Sequence, residues 1–177
     1  MLRVGGCTKI MRRPGLAGPV ERFFSSDASL SILMKARHAR SGVRIKGARG
    51  NPEIRAAIIR FAKWLRREYE FPTRVPVYLF PSDQILTMHG DRVWAFFFAP
   101  FNRNEEPYIR IATGDYAQLR KERGRDNALA AFLHSFAHEL VHYQQWIAGG
   151  EKAVIERGVA RRARSIVARY ALSTDHP

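Results

Sequence analysis

The apolar positions of this chain change their period twice, and each change marks a different kind of element. Ile54, Ala57, Ile58, Phe61, Trp64 and Leu65 recur at the three- and four-residue intervals that put side chains on one face of a helix. Asn51-Pro52-Glu53 gives that helix a start, with a cap, a proline at the first position and an acid in the first turn, so the pattern predicts a helix over about 52–70. The period then shortens. Val75–Phe80, Arg92–Phe98 and Tyr108–Ala112 are short runs rich in Val, Ile, Tyr and Phe, bounded by Pro81-Ser82-Asp83, His89-Gly90-Asp91 and Asn102-Arg103-Asn104, and they read as three strands of a small sheet. Helical spacing returns over about 126–148, where Asp126 or Asn127 can cap and Gly149-Gly150 can terminate. Ala128–Leu133 and Phe136-Ala137 make this segment apolar on nearly every side, as expected of a helix inside a core. A last helix is predicted over about 151–171. The order of helix, three strands, helix and helix predicts an α+β domain over 51–171, followed by a short tail at 172–177. Residues 1–50 read as a basic, flexible extension, with one apolar stretch at Leu30–Met34 and Gly42, Gly47 and Gly50 as punctuation.

Within the buried helix stands His138-Glu139-Leu140-Val141-His142. Four-residue spacing puts both imidazoles one turn apart on the same face, so they can reach one metal ion, with Glu139 beside them as a general base for a metal-activated water. Without a metal, two His and a Glu in so apolar a segment would be expensive to bury. A catalytic zinc takes three protein ligands, and Glu151 and Glu156 both follow closely. On a helix over 151–171, Glu156, Ala160, Ala163, Val167 and Tyr170 share one stripe whose alanines allow close approach to the motif helix, which favours Glu156. Glu151 then sits in the first turn, where the helix dipole favours a carboxylate. His134, one turn before His138, points in nearly the same direction as the pair and reads as a core histidine or a partner of the ligands, while His89 before Gly90 reads as a turn residue.

The segments His134–Trp146 and Glu156–Ala163 together resemble the zincin superfamily of metallopeptidases, and specifically its gluzincin branch. They are also similar to small, minimal metallopeptidase-like proteins of bacteria and phages. The SprT-like branch uses a third His, and the only one after His142 is His176 near the terminus; the extended metzincin motif is missing. The resemblance implies a minimal zincin-like fold, zinc held by His138, His142 and Glu156, Glu139 as general base and a peptide or protein substrate. It also implies an edge strand beside the cleft that holds an extended peptide by main-chain pairing, for which Tyr108–Ala112 is the candidate. An oxyanion-assisting Tyr or His is common in the superfamily, and Tyr143 and Tyr170 are the candidates here.

Charge adds a second reading. The formal net charge is +14, and residues 1–50 carry 11 Lys or Arg against Glu21 and Asp27, so the arm holds most of it. Such an arm is either a solvated extension or a contact for nucleic acid or another polyanion. With Arg157, Arg161, Arg162, Arg164 and Arg169 on the last helix, the alternative function is a nucleic-acid-associated protein with a binding-only core. A zinc hydrolase acting on a non-peptide amide is a third. No run approaches the length of a membrane span, and Cys7 stands alone, which favours a reducing, cytoplasmic setting. Arg3, Lys9, Arg12 and Arg13 without an acid, followed by Arg22-Phe23-Phe24-Ser25, suggest a mitochondrial transit peptide as the alternative.

Overall fold

Asn51 starts the first helix through its side chain, which accepts from the Glu53 N–H at 2.9 Å, and Pro52 fills the first position, where a missing N–H costs nothing. This helix, α1 (Pro52–Glu68), buries Ile54, Ile58, Phe61 and Leu65 on one face and closes where the Tyr69 N–H reaches the Leu65 carbonyl. The computed structural model describes residues 41–47, 50–102, 105–149 and 154–173. The basic arm over residues 1–40, the Arg22–Ser25 segment, Cys7, His38, Glu151 and His176 lie outside them.

Among the described residues the chain is mixed α/β, with four helices beside one small sheet and a separate two-stranded ribbon. The main sheet has four strands in the order β1-β2-β6-β5, where β1 is Val43–Lys46, β2 Val75–Phe80, β5 Ala95–Phe98 and β6 Tyr108–Ala112. β1 runs parallel to β2 (Val43 opposite Val75, Lys46 opposite Tyr78), and α1 makes the long connection that a parallel pair requires. β2 and β6 are parallel, and β5 is antiparallel to β6. The ribbon pairs β3 (Ile85–Leu86) with β4 (Arg92–Val93). Three sequence expectations change here. The sheet has a fourth strand, β1, within the segment read as extension; only Val43 and Ile45 face the core, so two apolar residues among glycines and cations gave too little signal. The Arg92–Phe98 run divides at Trp94, with β4 joining the ribbon and β5 the main sheet. Tyr108–Ala112 is an interior strand, paired on both sides, and the edges of the sheet are β1 and β5.

Val77, Leu79, Phe97, Ile109 and Ile111 line one face of the sheet and pack on α1 and on α3 (Arg125–Gly149), whose Phe132, Phe136 and Leu140 are fully buried. A short helix, α2 (Tyr116–Arg123), precedes α3; only Tyr116 and Leu119 of its residues are buried, so the hydrophobic pattern does not announce it. The last helix, α4, spans Val159–Ala171 and lays Val159, Ala163, Ile166 and Tyr170 against the core. It therefore begins later than the expected start at 151, and Glu156 precedes the helix rather than riding on it. No helix among the described residues is long and apolar enough to cross a membrane.

Candidate metal centre

Helix α3 carries His138 and His142 one turn apart and nearly fully buried, with ring centroids 5.1 Å apart. Glu156 meets them from a turn. The Val159 N–H donates to the Glu156 carbonyl at 3.2 Å, and Gly158 sits inside that turn at φ 80° and ψ −4°, a left-handed position at which glycine alone carries no penalty. The turn sends the Glu156 carboxylate back onto α3, with Oε2 3.5 Å from His138 Nε2 and Oε1 3.2 Å from His142 Nε2.

Gln145 decides what those contacts mean. Its Nε2 donates to the Ile155 carbonyl at 3.0 Å and its Oε1 accepts from the Ile155 N–H at 3.1 Å, so the amide can face only one way. The same Oε1 lies 3.1 Å from His142 Nδ1, which must then be the protonated nitrogen, leaving a lone pair on Nε2. Burial pushes the His142 pKa down, which favours the neutral ring. A lone pair facing a carboxylate at that distance is repulsive unless a cation stands between them. In accord, neither His142 Nε2 nor either nitrogen of His138 has a hydrogen-bond partner, although all are buried. One ligand atom from each of His138, His142 and Glu156 lies within 4.8 Å of the others. Tetrahedral zinc, with bonds of about 2.0–2.2 Å, sets its donors roughly 3.3–3.6 Å apart, and the two contacts of Glu156, at 3.5 Å and 3.2 Å, are close to that separation.

Comparison with protein-family models, curated proteins and solved structures returns no match. The functional reading therefore stands on the geometry of this site.

Glu139 is buried beside the cluster. Its carboxyl accepts from the Phe97 backbone N–H, Oε2 has no hydrogen-bond partner, and burial, reinforced by the charge of Glu156, pushes its pKa up to about 8. The His138 pKa is pushed down to about 4, first by burial and then by the neighbouring His142. The Phe97 contact also orients the edge strand. Because its N–H is given to Glu139, the edge of β5 that is not paired with β6 lies beside the cluster.

The remaining sequence candidates fall elsewhere. His134 hydrogen-bonds the Ala160 backbone, tying α3 to the first turn of α4, and it does not join the cluster. His89 is exposed in the turn between β3 and β4, where its N–H reaches Thr87 Oγ1. Tyr143 points away from the histidines, donating to the Thr73 carbonyl at 2.6 Å, and Tyr170 packs on Phe61 with centroids 4.9 Å apart. Both hydroxyl-bearing rings are therefore core residues, and neither is placed to assist an oxyanion. Glu151 lies outside the described residues. Sequence reasoning passed over Gln145 and the Phe97 N–H, because each acts only once a distant segment has been brought to it.

Proposed function

We propose that this protein is a zinc-dependent metallopeptidase of the gluzincin type, with His138, His142 and Glu156 as the metal ligands and Glu139 as general base. The observation that carries the reading is the meeting of His138, His142 and Glu156, with ligand atoms within 4.8 Å of one another, beside a buried, partly unpartnered carboxyl group. Bound zinc supplies a Lewis acid that polarises the scissile carbonyl and lowers the pKa of a water to about 7. A cation held beside Glu139 would offset the burial and the Glu156 charge that raise its pKa, and the carboxylate so favoured would receive the proton of the attacking water at Oε2 and deliver it to the leaving amine nitrogen. The Phe97 N–H holds the other part of that carboxyl, so Oε2 keeps its aim. An extended peptide can pair with the outer edge of β5 and lie along the cluster, which would select substrates able to adopt a strand. Glu156 is 44% exposed on its side chain, so the cluster is open to solvent on that side.

General-base catalysis contributes about 10²–10⁴-fold. Glu139→Gln should retain the metal yet lose at least about 100-fold in turnover of an unstructured protein substrate. Equal turnover by Glu139→Gln and wild type would remove Glu139 from the mechanism.

A further inference from the structure

The sheet face turned away from the histidines carries a feature the peptidase reading does not use. Opposite the core-facing residues, β2, β6 and β5 present Tyr78, Tyr108 and Phe98 on neighbouring strands, with Tyr78 to Tyr108 at 6.1 Å and Tyr108 to Phe98 stacked at 4.7 Å. Tyr78 is 37% exposed and the other two rings are half-buried. Ile85 and Val93 of the ribbon pack with Phe96 and Ala112 at one end of this face, and Phe80, Phe98 and Tyr108 pack against that cluster, which leaves Tyr78 as the most exposed of the rings. Between the rings lies half-buried Arg110, its guanidinium carbon 5.0 Å from the Tyr108 centroid, 5.4 Å from that of Phe80 and 5.6 Å from that of Phe96, with its Nε buried. Arg44 and Lys46 extend the same face along exposed β1, Lys46 in register with Tyr78.

We infer that this face is a docking surface for single-stranded nucleic acid, whose bases stack on the exposed Tyr78 and rest against the Tyr108–Phe98 pair beside it while Arg44 and Lys46 meet the phosphates. Tyr78, with the Tyr108–Phe98 stack 6.1 Å away, offers an exposed planar support to a base of a splayed single strand. A duplex hides its base faces and would use only the cations. A second copy of the chain is disfavoured as the occupant, because it would set Arg44, Lys46 and Arg110 against the same three cations. An acidic peptide would satisfy the charges but leave the ladder of rings without planar partners. The inference is independent of the metal site.

The test is fluorescence anisotropy of the full chain with a labelled oligothymidylate of about 12 nucleotides, repeated with a duplex of equal length and with a polyglutamate competitor. Tyr78→Ala should weaken single-strand binding about fivefold or more while leaving the salt dependence and duplex binding unchanged. Arg44→Gln with Lys46→Gln should lower the slope of log affinity against log salt by about 1.4. Wild-type affinity in both variants would assign any binding to the basic arm and overturn the inference. So would absence of binding, an equal loss for the duplex, or displacement by polyglutamate at concentrations that leave a non-stacking polyanion site as the explanation.

Discussion

Gln145 holds two parts of the site with one amide. It fixes the tautomer of His142 through Oε1 and grips both backbone groups of Ile155, the residue before Glu156. Partners that orient a metal ligand are typically worth 10–100-fold in affinity. Gln145→Leu should therefore weaken zinc binding by about that factor in competition with a chromophoric chelator, although no ligand is removed. Gln145→Glu keeps the acceptor for the His142 Nδ1–H but has no donor for the Ile155 carbonyl, so it should recover only the part of the loss that comes from His142. Unchanged affinity in Gln145→Leu would show that the two ligands are positioned without it. Gly158 acts on Glu156 through the backbone. An Ala there meets no neighbour within 4 Å, so the change isolates the cost of φ 80°, about 1–2 kcal/mol for a non-glycine residue. Gly158→Ala should lower zinc affinity while shifting the thermal midpoint only slightly, and unaltered affinity would mean that the turn does not aim the carboxylate. That His138 and His142 come together with Glu139 beside them was legible in the sequence, because four-residue spacing is a local property of a helix. Gln145 was not, since its role depends on Ile155 returning to it from beyond the end of α3.

At the scale of elements, α1 was legible almost to the residue because both its cap and its apolar stripe are local. Glu156 was picked out by a helical stripe although it stands before the helix. The choice agreed with the geometry because Ala163 and Tyr170 do pack against the core and the turn at Gly158 carries the chain to the same side. The assignment of the edge strand failed for a different reason: which strands flank β6 is set by pairing across distant segments, and a run such as Tyr108–Ala112 looks the same at an edge as in the middle. One junction between elements makes a pH prediction. Glu53, in the first turn of α1, accepts from Arg125 Nε at 2.7 Å, Tyr116 Oη at 2.7 Å and Arg120 Nη1 at 3.1 Å, joining α1 to α2 and to the start of α3. The hydrogen bond from Arg125, then that from Tyr116, holds its carboxyl below the ordinary value of 4.5. A folded-state pKa below the unfolded one means that the stabilisation is present above 4.5 and fades as pH falls through the folded-state value. The thermal midpoint of wild type should exceed that of Glu53→Gln near neutral pH, and the gap should narrow as the buffer is brought to about pH 3. A gap independent of pH would assign the effect of the substitution to packing.

At the scale of the whole molecule, the sheet separates two kinds of chemistry. One face packs on α1 and α3 and so supports the cluster of His138, His142 and Glu156, while the other presents rings and cations. The mixed α/β class and the order of the main helices could be read from periodicity, but the four-strand order could not, because parallel pairing leaves no local mark. The net charge of +14 left the N-terminal arm as either a solvated extension or a polyanion contact; Arg44, Lys46 and Arg110 place part of that charge on one face of the folded domain. The central claim, that the buried pair of imidazoles and the Glu156 carboxylate grip one zinc ion, is tested most directly by the zinc content of protein purified without added metal, measured by atomic emission. The account predicts one zinc per wild-type chain, loss in His138→Ala and in His142→Ala, a greatly weakened hold in Glu156→Ala and full retention in Glu139→Gln. A wild-type protein that holds no zinc and takes up none when supplied, or a Glu156→Ala variant that keeps its zinc as firmly as wild type, would contradict it.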